Sequence, residues 1–181
     1  RLGERGWGTP TWPSEYGGGG LTPAEAAVLS EEMHAAGAIN PIPLLAGMGV
    51  TMVGPTILEY GPEEQKLEHL PGICSGKVRW CLGLSEPNAG SDLASLQTKA
   101  EENGDQWVIN GQKIWITNGG FADIFIVFAK IKDDKNLSAF IVERNYPGFS
   151  VGAEAKKMGI KASSTVQIFF DNCLVPSQNL L

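Results

Sequence analysis

The patterning of apolar residues changes once along this chain, near Gly76, and that change constrains the fold more than any other feature. Before it, apolar residues recur at helical spacing. Beyond it, β-branched and aromatic residues gather in short runs divided by Gly, Asn and Asp. A helical part followed by strands without intervening helices predicts an α+β chain. Residues 1–77 would form an N-terminal α-helical domain and residues 78–181 an antiparallel β-barrel or sandwich. With 181 residues and 43% hydrophobic content, the chain can build the cores this requires.

Within the helical part, "LTPAEAAVL" marks a helix start. Thr22 can cap, Pro23 suits the first turn, and Glu25 completes a capping box. The helix is predicted to reach about Ala36, with Val28, Leu29, Met33 and Ala36 as its apolar stripe and Glu25, Glu31 and Glu32 toward water. A second, largely apolar helix is predicted over residues 42–60. A third opens at Pro62, with Glu63 and Glu64 near the positive end of its dipole, and stops before Pro71. In the second part, "WVINGQKIWIT" predicts two strands joined by an Asn110-Gly111 turn. "ADIFIVFAKI", "LSAFIVE" and "TVQIFFDNCLV" add three strands, with "DDKN" (residues 133–136) supplying a turn.

Charge and composition remove whole classes of function. Fourteen Lys and Arg stand against twenty Asp and Glu, a net charge of -6, and no basic run could neutralise a row of phosphates, so nucleic acid is excluded as a partner. No apolar run approaches the ~18 residues that span a bilayer, so no membrane insertion is expected. Three cysteines, Cys74, Cys81 and Cys173, form an odd set in apolar surroundings, which fits buried thiols and a reducing, cytoplasmic setting. His34 and His69 have no metal-ligand spacing around them. There is no Walker A loop, no GxGxxG fingerprint and no G-x-S-x-G elbow. The chain lacks an initiator Met and reads as starting in mid-sequence.

Two segments carry chemical signals. "LGLSEPNAGSDL", residues 82–93, follows a short apolar strand and packs small residues, hydroxyls and backbone N–H groups together. It reads either as an ordinary turn or as a loop that a ligand approaches closely, with Ser85 and Ser91 as donors. In "WIT", Trp115 and Thr117 share one face of an extended chain and Ile116 takes the other. That pair is either a plain strand surface or a site for something planar and polar. A flavin ring fits the second description, lying on Trp115 with Thr117 donating to an edge nitrogen. "PSEYGGGGLTP", before the capped helix, reads as a conformationally demanding connection rather than a phosphate cradle.

Read in order, "PSEYGG", "YGPEEQKLEHLPGICSGK", "LSEPNAGSDLASLQTKA", "VINGQKIWITNGG" and "MGIKASSTVQIFFDNCLVP" resemble the acyl-CoA dehydrogenase family across nearly the whole chain. The resemblance implies a helical N-terminal domain and a middle β-barrel that binds FAD and acyl-CoA. The family's C-terminal helical domain is not represented. By resemblance, Leu82, Leu84, Ser85, Gly90 and Ser91 line the flavin, and Ser91 also reaches the CoA portion of the substrate. Trp115, Ile116 and Thr117 pack on the ring, with the Thr117 hydroxyl at N5.

The implied reaction is α,β-dehydrogenation of an acyl-CoA thioester to a trans-2-enoyl-CoA, with hydride transfer to N5 and electrons passing to an electron-transferring flavoprotein. The parent would be a homo-oligomer, in the mitochondrial matrix if eukaryotic. Its catalytic base is a glutamate of the C-terminal domain, so no residue here is assigned that role and the fragment alone should be inactive. Asn88 and Lys161 stand where the family usually has glycine and arginine; Asn tolerates a left-handed turn. Two alternatives share these motifs: a non-catalytic CoA-ligand or assembly module, and a flavin-dependent acyl-CoA oxidase or monooxygenase.

Overall fold

The computed structural model describes residues 2–43, 47–132 and 136–181. The chain divides into two compact units, Arg1–Arg79 and Trp80–Leu181. The first is helical. Helix α1 (Pro23–Ala35) starts with the expected capping box: the Glu25 N–H donates to Thr22 Oγ1, and the Thr22 N–H donates to the Glu25 carboxylate at 2.8 Å. Of its predicted stripe only Leu29 and Met33 are half-buried; Ala36 is exposed and Val28 stays 58% exposed.

The expected continuous helix over residues 42–60 is not regular. Leu44, Leu45 and Ala46 lie outside the described residues, and a π-helical turn, Gly49–Val53, precedes α2 (Gly54–Tyr60). Pro55 has no N–H for the carbonyl four residues back, and the wider turn accommodates it. Helix α3 (Glu63–Cys74) does not stop before Pro71 but runs through it. Complete burial of Leu70 and Ile73 on either side, with Cys74 at the end, outweighs the missing hydrogen bond at that residue. The Tyr16 hydroxyl donates to the Glu63 carboxylate at 2.9 Å.

The second unit is a seven-stranded sheet of β1 (Trp80–Gly83), β2 (Lys99–Asn103), β3 (Gln106–Thr117), β4 (Ile124–Ile131), β5 (Ser138–Glu143), β6 (Phe149–Val151) and β7 (Thr165–Pro176). The order is β1-β4-β2-β3-β7-β6, with β5 also on β4. It is mixed rather than purely antiparallel, because β1 and β2 each pair with β4 in parallel. The chain leaves β1, forms the β2–β3 hairpin and then returns beside β1, a crossover long enough for parallel pairing. Trp80, Phe125, Phe140, Ile109 and Ile168 form the buried centre, and the Phe149 ring packs at a tilt between those of Phe125 and Phe170.

The hairpin predicted at Asn110-Gly111 lies elsewhere. The β2–β3 turn is Gly104-Asp105, between paired Asn103 and Gln106, with Gly104 at φ +64°. Asn110 and Gly111 lie inside β3 at a register shift against β7. There the Asn172 N–H donates to Asn110 Oδ1 at 2.8 Å. Gly111, at φ +147°, lets the strand pass Thr98: a Cβ would sit 2.5 Å from Thr98 Oγ1. The turn proposed at residues 133–136 includes Asp133, Asp134 and Lys135, which lie outside the described residues.

Candidate functional site

The site is built on the far half of β3. Along its first half the alternation is regular, with Trp107 and Ile109 buried. Lys113 continues that inward face and is fully buried. Strict alternation would bury Trp115 too. Instead β3 pairs Lys113 with Ile168 and Ile116 with Val166, which leaves one extra residue on β3, a β-bulge. Trp115 occupies it at φ +59°, an uncommon conformation for a bulky side chain. The bulge reverses the faces beyond it: Ile116 turns in (2% exposed), while Trp115 (67% exposed) and Thr117 turn out together.

The loop after β1 is pinned to this half of β3. The Ile114 N–H donates to the Ser85 carbonyl at 2.8 Å, and Lys113 Nζ donates to the Leu84 carbonyl at 3.2 Å. Lys113 Nζ also meets Glu86 Oε1 at 2.8 Å, an ion pair buried on both sides. Glu86 accepts in addition from the N–H groups of Gln97 and Thr98 and from Thr98 Oγ1. Burial pushes the Glu86 carboxyl up, but the donors from Lys113, Thr98 and Gln97 more than offset this and hold it below the usual carboxylate range. Burial draws the Lys113 ammonium below its ordinary range, partly opposed by Glu86. The composition signal is a Lys in a strand and a Glu in a loop of small residues, but sequence reasoning gives neither a role.

Of the residues singled out from sequence, Leu84 and Ser85 are thus tied by their carbonyls to Lys113 and Ile114, the two residues that precede Trp115, Ile116 and Thr117 on β3. Leu82, on β1, is half-buried. Gly90 and Ser91 lie on an exposed bend beyond the Glu86–Ala89 bridge, and among the described residues the part of the loop bonded to β3 is 84–86. Asn88 does not use the left-handed region, which Asn118 and Asn172 do. After Thr117, the N–H groups of Asn118 and Gly120 donate to the Ser164 carbonyl and hydroxyl, fixing the "NGG" turn. Beside it opens a cleft of about 580 Å³ whose lining includes Phe121, Lys156, Lys161 and Ser163.

The three cysteines are buried and unbridged. Burial pushes the Cys81 thiol up to about 12 and the Cys173 thiol to about 11, so neither is a thiolate nucleophile near neutral pH. Among the described residues no helix is long and apolar enough to cross a membrane.

Known proteins share this fold. Residues 1–77 match the family described as "Acyl-CoA dehydrogenase, N-terminal domain" and residues 81–173 the one described as "Acyl-CoA dehydrogenase, middle domain". A Bacillus subtilis (strain 168) protein named "Probable acyl-CoA dehydrogenase" is 45% identical over 171 residues, 93% of this chain and 28% of its own length. The crystal structure of acyl-CoA dehydrogenase from Geobacillus kaustophilus aligns with a TM-score of 0.81 at 36% identity, over 99% of this chain and 48% of that one. The Bacillus anthracis acyl-CoA dehydrogenase complexed with FAD aligns with a TM-score of 0.75 at 40% identity, over 99% and 31%. The chain spans less than half the length of these relatives. With a family match over each of its two units, this chain belongs to the acyl-CoA dehydrogenase family.

Proposed function

We propose that the chain is the N-terminal (1–77) and FAD-binding middle (78–181) part of an acyl-CoA dehydrogenase that converts an acyl-CoA thioester to its trans-2-enoyl-CoA. The observation that carries the reading is Trp115, a large aromatic side chain left 67% exposed on a left-handed bulge beside an outward Thr117. Exposing an indole forgoes burial energy, and the backbone strain adds about 1 to 2 kcal/mol. Both costs make sense where a planar ligand covers the ring.

The residues present fit a flavin. A tricyclic ring needs a flat apolar support, a donor at its edge and a close backbone approach. Trp115 supplies the support, Thr117 the donor at N5, and Leu84 and Ser85 the fixed main chain. Ile116, whose side chain is in the core, contributes through its backbone. Leu82 and Gly90 complete the lining, and Ser91, exposed on the same loop, reaches the CoA portion of the substrate.

When bound, FAD supplies the hydride acceptor for the Cβ–H bond broken as Cα loses its proton. The chain's own residues orient that acceptor and stabilise charge at its edge by hydrogen bonding. No residue of this chain is assigned as the catalytic base. The base and the remaining flavin contacts come from the family's C-terminal helical domain, and electrons pass to an electron-transferring flavoprotein.

FAD titration tests this reading. The expected result is quenching of flavin fluorescence with a structured visible absorption band. FAD that keeps its free fluorescence at every protein concentration contradicts it.

A further inference from the structure

Burying a Lys–Glu pair is an expensive way to stabilise a sheet. Each ion gives up several kcal/mol of hydration, and apolar residues of similar volume often stabilise as well. What Lys113 and Glu86 do that apolar residues cannot is join three segments at defined distances. Glu86 gathers the Gln97 and Thr98 backbone N–H groups at the entry to β2, together with the Thr98 hydroxyl. Lys113 ties that carboxylate to β3 and carries a second bond to the Leu84 carbonyl. It also stands immediately before the bulge that turns Trp115 outward.

We propose that the Lys113–Glu86 pair is a positioning clamp that holds the Leu84–Glu86 backbone in register with Trp115 and Thr117. Lys113 and Glu86 touch no ligand in this scheme; they act through the loop and the bulge. The purpose given to the clamp rests on the flavin reading, whereas the clamping itself can be measured without flavin.

The test uses Lys113→Met and the double variant Glu86→Gln/Lys113→Met. The single variant leaves a buried carboxylate without its cation. The double variant removes both charges, while the amide oxygen introduced by Glu86→Gln can still accept from Thr98. A merely structural pair predicts that the double variant recovers both stability and site. The clamp predicts that it recovers much of the urea midpoint lost in Lys113→Met and yet does not restore the site.

In that double variant the Ile114 amide, bonded to the Ser85 carbonyl, exchanges roughly tenfold or more faster than in wild type, while Phe140 and Ile141 keep their protection. FAD affinity falls by about tenfold or more. Wild-type exchange at Ile114 in the double variant overturns the proposal. So does lost protection with unchanged FAD affinity. If wild type binds no FAD but the exchange difference persists, the flavin reading fails and the clamp stands.

Discussion

The two halves of β3 are made of similar residues and behave differently. From Gln106 to Ile109 the strand sits between β2 and β7 in regular register, its Trp and Ile buried. From Lys113 to Thr117 it has left β2, carries a bulge, buries a lysine and exposes a tryptophan. Regular pairing satisfies the backbone and leaves side chains free to pack. Where pairing is interrupted, the backbone can aim a side chain outward at a cost met elsewhere in the fold. The irregular half therefore carries the candidate site and the regular half anchors it.

The largest expected effect attacks the join between loop and irregular half. Lys113→Met, which strands Glu86 in the interior, is predicted to cost about 4 kcal/mol in urea unfolding. A loss below about 1 kcal/mol would show that the pair is not the anchor it is taken to be.

Gly111→Ala comes next, at about 3 kcal/mol, because it combines a forbidden φ with collision against Thr98. Its control is Gly104→Ala in the β2–β3 turn, where φ is +64° but a Cβ meets nothing within 4 Å. That change should cost only about 1 kcal/mol. Equal losses at the two glycines would erase the distinction between a crowded strand interior and an open turn.

Acid probes the pair by titration. Glu86 has a folded carboxyl below its unfolded value, so its contribution is present above the unfolded carboxylate range, near about pH 4, and is lost as pH falls through the folded value. Wild type should lose stability over that window, and Glu86→Gln should show a shallower loss in the same urea titrations. In the full-length parent, Thr117→Ala should slow flavin reduction by roughly tenfold in rapid mixing while the flavin stays bound.

Much of this was legible in the residues. The capping box at Thr22 and Glu25 formed as written because its partners are three residues apart and need nothing distant. The outward pairing of Trp115 with Thr117, opposite Ile116, also agreed with simple alternation over three residues. The hairpin did not. Asn-Gly is a strong local turn signal, but Ile109 and Asn110 still pair with β2 and Gly111 to Lys113 run on along β7, so Asn110 bonds Asn172 and Gly111 slips past Thr98. The true turn was hidden because β2, "KAEEN", exposes all but Ala100 and looks like surface. The clamp was invisible for a similar reason: Glu86 and Lys113 are 27 residues apart, and only the pairing of β3 brings them together.

The smallest stability effect is the most telling. Trp115→Gly removes an exposed side chain from a left-handed position that glycine adopts freely, so stability should be unchanged or raised by up to about 1 kcal/mol. If the bulge exists to present that indole to a flavin, FAD affinity of the same variant should fall by roughly tenfold or more in a fluorescence titration. A variant that binds FAD as tightly as wild type, or that unfolds far more easily, would contradict the assignment of this half of β3 to the ligand.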